Sequence, residues 1–125
     1  IVADVDLGTT PDTKRSETVP LDGGPSLSTG PITDKRLTAL LRKLADEKEI
    51  KHQMAVTAGG TGTNTMVVNL VRNGIPTVDI GLPQLAMHSS YETAGAKDTE
   101  YYVRALTCFY GKTLVMEKDG EYKFI

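Results

Sequence analysis

Apolar and polar positions change their spacing several times along the chain, and each change predicts an element. Ile1 to Asp6 opens apolar and β-prone, with Val2, Asp4 and Asp6 at period two, which predicts a strand running into a turn. Leu7 to Gly30 loses that pattern. It is rich in Gly, Thr, Pro and charge, carries Thr10-Pro11-Asp12 and Asp22-Gly23-Gly24-Pro25, and reads as a long loop of turn chemistry. From Ile32 to Ile50 the period becomes helical. Leu37, Leu40, Leu41 and Leu44 form one stripe, while Lys35, Arg36, Arg42, Lys43 and Glu47 take the wet side, and Thr33 or Asp34 can cap the start.

Gln53 to Thr57 predicts a short strand, followed by the Gly-rich turn Ala58 to Asn64. A second helix follows, with Met66, Val67, Leu70 and Val71 inward and Asn73-Gly74 at its end. Thr77 to Leu82 predicts a strand stopped by Pro83. After a loop through Met87 to Glu92, Asp98 opens a third helix with Val103, Leu106, Phe109 and Tyr110 on one face. Leu114 to Ile125 predicts a hairpin around Asp119-Gly120. Alternating strands and helices predict an α/β fold, a mixed but largely parallel central sheet flanked by helices. In such sheets ligands collect beyond the carboxyl ends of the strands. The loops after Asp6, at Gly59 to Asn64 and around His88 are therefore the places to look.

Composition narrows the classes. The chain has 125 residues, the length of one domain. Fourteen basic against sixteen acidic side chains, a formal charge of −2, argue against a nucleic-acid groove. One cysteine excludes an intrachain disulfide framework and a cysteine-based zinc site, and no apolar run is long enough to span a bilayer. A soluble, cytoplasmic protein is the expectation. The chain opens on an apolar β-prone run without an initiator Met, so a portion of a larger domain is also expected.

Two constellations can carry chemistry. Gly59, Gly60, Thr61, Gly62 and Asn64 sit between a strand and a helix, where glycines let backbone approach a ligand and the helix start presents free N–H groups. The turn lacks the Lys of a phosphate-binding P-loop. A tight crossover needing glycine only for packing, or a phosphate- or pterin-binding turn, explains it equally well. Asp4 and His88 are the second pair: a carboxylate and an imidazole at strand ends suit zinc, cobalt or manganese. Singly, a loop cap explains Asp4 and a surface position explains His88. Glu92 is placed to orient His88 or to serve as a helix-start charge. His52 reads as solvated, Cys108 as a small core hydrophobe and Asp79 as a partly exposed charge.

Taken together, Val2-Ala3-Asp4-Val5, Leu21-Asp22-Gly23-Gly24-Pro25, Ala58 to Asn64, Asn73-Gly74-Ile75-Pro76-Thr77 and Gly81-Leu82-Pro83 leading to Met87-His88-Ser89-Ser90-Tyr91-Glu92 resemble the glutamyl and deblocking aminopeptidases of metallopeptidase family 42. The resemblance runs from about Ile1 to Lys112, corresponds to the C-terminal part of their catalytic domain, and implies a strand after the Gly-Pro turn. It implies Asp4 as one metal ligand, with Asp6 its rival, and His88 as the last ligand. It implies Gly59, Gly60, Thr61, Gly62 and Asn64 on the substrate side, two divalent metal ions (zinc or cobalt), a peptide substrate and a homo-oligomer. The family's His-x-Asp and adjacent-glutamate elements do not occur here. The general base, the remaining ligands and the dimerisation domain are thus expected from the rest of the catalytic domain, leaving this chain alone inactive. Asn64 stands where the family commonly has Asp, which leaves a non-catalytic paralogue or assembly subunit as the alternative.

Overall fold

A computed structural model describes residues 1–14, 18–56 and 65–125. In chain order its elements are β1 (Val2–Leu7), β2 (Ser26–Thr29), α1 (Lys35–Glu47), β3 (Gln53–Val56), α2 (Thr65–Arg72), β4 (Asp79–Leu85), β5 (Thr93–Ala94), α3 (Ala96–Tyr110), β6 (Leu114–Met116) and β7 (Tyr122–Phe124). The main sheet runs β1-β4-β2-β3, with β5 also on β4, while β6 and β7 form a separate hairpin. Pairing is parallel for β1 with β4 and for β2 with β3, and antiparallel for β2 and β5 against β4. This is the expected mixed, largely parallel α/β sheet.

One face of that sheet makes the core. Leu27 and Ile80 meet Leu37 and Leu41 of α1, with Val78 beside them, and Tyr102, Ala105, Leu106 and Phe109 of α3 pack against the cluster. α1 forms where its leucine stripe dictates. Asp34 caps it by accepting hydrogen bonds from the amides of Arg36 (2.9 Å) and Leu37 (3.4 Å). The terminal hairpin rests on α1 and α3. Arg36 donates to the Gly120 carbonyl at 2.8 Å and lies 4.6 Å over the Tyr122 ring, and Phe124 meets Phe109 edge-on.

Several expectations need correction. The interval Leu7 to Gly30 is not all loop: β2 lies inside it, directly after Pro25, where the family resemblance implies a strand. Its Ser-Leu-Ser-Thr sequence is too polar to show a strand pattern, yet Ser26 and Ser28 are buried with their strand. β4 does not stop at Pro83 but runs on to Leu85. Gly8 donates to the Gln84 carbonyl, so by alternation the Pro83 nitrogen faces the other edge, between the β2 and β5 pairings, where no ladder donor is needed. Met66 is exposed rather than inward. On α3 the inward stripe is Tyr102, Ala105, Leu106 and Phe109, leaving Val103 and Tyr110 outside. The side chain of His52 is mostly covered, its Nδ1 2.9 Å from the Ile50 carbonyl. Asp79 is buried, not partly exposed.

Candidate functional site

β1 and β4 carry most of the site. Asp4 lies opposite Gly81 and Asp6 opposite Pro83, and parallel partners point to the same face. With Ile80 and Leu27 turned to the core, Asp4, Asp6, Asp79, Gly81 and Ser26 fall on the other face by alternation and register. There the two candidate aspartates differ. Asp6 is half-buried and accepts a hydrogen bond from the Ser26 hydroxyl. It packs so closely over Gly81 that a β-carbon there would stand 2.3 Å from its Cγ. Asp4 is exposed, and its carbonyl accepts from the Tyr102 hydroxyl at 3.0 Å. Asp6 is therefore tied to its neighbours, whereas Asp4 is exposed but stands in the middle of β1 rather than at the strand end where the sequence put it.

The face is electrostatically loaded. Burial raises the Asp6 carboxyl above its ordinary range, the Ser26 hydrogen bond opposes this, and the neighbouring Asp4 adds to it. Asp79 is pushed up to about 6, chiefly by burial and then by the charges of Asp6 and Asp4. Its Oδ1 is buried and finds no hydrogen-bond partner among the described residues. The Tyr102 hydroxyl is raised to about 12 by burial and by Asp4. The buried member of this set was missed in the sequence because alternation alone put Asp79 away from the core side. Nothing in the spacing says that this second face is covered too.

His88 lies beyond the end of β4, exposed, in the loop that returns to β5. Both Ala86 (φ 54°) and His88 (φ 67°) adopt left-handed backbone without being glycine. Such conformations persist where surrounding bonds over-determine them. Here Glu92 Oε1 accepts from the His88 amide at 2.6 Å, Ser89 donates to the Ala86 carbonyl at 3.0 Å, and the Tyr91 amide donates to Ser89 Oγ at 3.1 Å. Glu92 thus grips the backbone of His88.

A second loop reaches the same end of the sheet. Because β2 opposes β4 in direction, the turn leading into it, Asp22 to Gly24, approaches from the carboxyl end of β4. Asp22 (φ 64°) and Gly24 (φ 81°) are left-handed. A β-carbon on Gly24 would fall 2.2 Å from the Lys51 carbonyl oxygen, so only glycine fits. Asp98, fully buried in the first turn of α3, accepts from the amides of Asp22 (2.6 Å) and Gly24 (2.8 Å). Gln53 Nε2 donates to the carbonyls of Pro20 and Gly24, and the Lys51 ammonium donates to that of Asp22. The sequence hint, an Asp-Gly-Gly-Pro turn, gave the turn but not its distant clamp.

The predicted turn residues Gly59, Gly60, Thr61, Gly62 and Asn64 lie outside the described residues. Asp4 and His88 come from neighbouring parallel strands, one on β1 and the other past the end of β4. As exposed carboxylate and imidazole they have the donor chemistry of a divalent-metal site. They do not complete one: among the described residues no three His, Cys, Asp or Glu side chains are gathered to hold an ion. A catalytic zinc normally takes three protein ligands and water.

Comparison with known proteins points in one direction. The profile of the M42 glutamyl aminopeptidases matches residues 1–104. The "Probable M18 family aminopeptidase 2" of Azotobacter vinelandii is 34% identical, over 74% of this chain and 24% of its own length. Its counterpart in Stutzerimonas stutzeri is also 34% identical, over 70% and 23%. Among solved structures, the TET aminopeptidase of the archaeon Thaumarchaeota archaeon SCGC AB-539-E09 superposes with a TM-score of 0.73 at 26% identity, over 86% of this chain and 31% of that one. Yeast aminopeptidase 1 gives 0.70 at 28%, over 87% and 26%. The chain spans about a quarter of the length of the curated relatives it matches.

Proposed function

Because the chain belongs to the M42 glutamyl aminopeptidase family, we propose that it contributes Asp4 and His88 as metal ligands to a dinuclear aminopeptidase site. The observation that carries this reading is the family match over residues 1–104, which includes both residues; Asp4 stands in the middle of β1, and His88 lies past the carboxyl end of its parallel neighbour β4. Asp4 offers its exposed carboxylate from β1. His88 offers its imidazole from a loop whose backbone Glu92 holds. Behind Asp4, Asp6 and Asp79 add negative charge to the same face, which favours a cation in front of it. Two divalent ions, zinc or cobalt, held there would supply Lewis-acid polarisation of a scissile carbonyl. The general base and the remaining ligands come from residues outside this chain. The Gly59, Gly60, Thr61, Gly62 and Asn64 turn lines the substrate side, its backbone amides available to carbonyl or carboxylate oxygens. The substrate is the N-terminal end of a peptide, and the working molecule is a homo-oligomer. No helix among the described residues is long and apolar enough to cross a membrane.

The test is hydrolysis of aminoacyl p-nitroanilides by the polypeptide that joins this chain to the rest of its catalytic domain. Activity should vanish on chelation and in His88→Ala. Turnover indifferent to both would sink the reading. The 125-residue chain by itself should be silent.

A further inference from the structure

β4 has two edges, and β1 occupies one of them as far as Gln84. The other edge is shared: β2 takes Ile80 and Gly81, and β5 takes Gln84 and Leu85. The turn that enters β2 and the segment that leaves β5 for α3 therefore meet beside the carboxyl half of β4. Asp98 is what joins them. Its two oxygens accept two amides of the turn, at 2.6 and 2.8 Å, with no exposed surface. Charge-assisted bonds to a carboxylate in the first turn of a helix are among the stronger ones available. Gly95, just before α3, leaves it room, since a β-carbon there would stand 2.4 Å from Asp98 Oδ2.

The loop bearing His88 is the segment strung between β4 and this clamp. Its near end is β4 itself, and its far end is a two-residue strand, β5, that pairs Leu85 with Thr93 and Gln84 with Ala94 and runs through Gly95 straight into α3. Two left-handed non-glycine residues inside it require both ends to be held. We propose that Asp98 is a positioning residue for His88: by pinning the start of α3 to the Asp22–Gly24 turn, it sets the far end of the His88 loop. The inference takes its interest from the role proposed for His88, but its geometry and its test stand without that role.

The test uses NMR on the isotope-labelled 125-residue chain, with Asp98→Asn. The asparagine keeps one acceptor oxygen and turns an NH2 toward the other amide, so exchange at Asp22 or Gly24 should quicken about tenfold or more. The chain has two histidines, and they report different things. The backbone nitrogen of His52 is 3.0 Å from where a Gly24 β-carbon would stand, so His52 senses the turn. His88 senses the far loop. Displaced resonances at both histidines are expected. A shift at His52 with His88 unmoved would confine Asp98 to the turn and overturn the proposal, as would no shift at either. Should D98N lose the native spectrum, Asp98→Glu keeps the charge and both acceptor oxygens but lengthens the side chain by one methylene, which shifts the pin against the Asp22–Gly24 turn. His88 is then read by the same criterion. Neither measurement needs metal or substrate, so the peptidase reading can fail while this one holds.

Discussion

Asp79 gives the sharpest quantitative test, because it is an acid that destabilises the fold when ionised. The residue is 6% exposed, Oδ1 has no partner among the described residues, and Asp6 and Asp4 stand nearby. The pKa rises from an ordinary 3.8 to about 6 on folding, so the native state holds the proton more tightly than the unfolded chain does. Below the unfolded value the group costs nothing. Stability then falls as pH climbs from about 4 to about 6, and the full penalty applies above that. At about 1.4 kcal/mol per tenfold change in affinity, the penalty comes to about 3 kcal/mol. Asp79→Asn is nearly isosteric and removes the charge, though it leaves a buried amide to satisfy, which reduces the gain to roughly 1–2 kcal/mol. Urea denaturation of both proteins at pH 4.5 and 7.5 measures this. The variant should be the more stable at pH 7.5, and its advantage should shrink or reverse at pH 4.5. An Asp79→Asn protein no more stable at pH 7.5, or with an advantage independent of pH, would refute the argument.

Other outcomes follow from the same geometry. Gly24→Ala drives a β-carbon into the Lys51 carbonyl at a left-handed position and should cost about 2 kcal/mol or more, read as a lower urea midpoint. Asp34→Ala removes the α1 cap and should cost about 1 kcal/mol in the same titration. Arg36→Ala should speed amide exchange across β6 and β7 while β1 and β4 keep their protection, since the guanidinium ties the hairpin to α1 and its other partner is Asp34 at the start of that helix. In the complete catalytic domain, His88→Ala should lower peptide hydrolysis by about a hundredfold or more, yet leave the melting temperature nearly unchanged, because the side chain is exposed.

Much of this molecule could be read from residue order. The α1 stripe, the β1 run and the Asp119-Gly120 hairpin follow local rules, and local rules sufficed for them. β2 shows no hydrophobic period, because Ser26 enters the interior through hydrogen bonds and Ser28 is buried beside it, so only the Gly-Pro turn before it pointed to a strand. β4 outran its proline because strand neighbours decide which N–H groups matter, and neighbours are a tertiary property. The stripe on α3 was misread by one position: Val103 and Tyr110 are as apolar as Tyr102 and Ala105, and only the docking direction separates them. In the site, Asp4 and His88 could be named from the family resemblance. The commitment of Asp6 to Ser26, the burial of Asp79 and the reach of Asp98 could not, since each joins residues remote in sequence.

The pairing of β1 with β4 also sets a timetable. Val2 has its ladder partner at Asp79, so a chain emerging from the ribosome carries β1 without its β4 partner while α1, β2 and β3 are already available to one another. Closing so long a loop is entropically slow, and an unmatched strand edge is open to wrong partners until it closes. That same closure brings Asp4 alongside β4 and the His88 loop beyond it. Ligand placement and completion of the sheet are one late event, so a nascent chain cannot acquire the Asp4–His88 pair before β4 has been made.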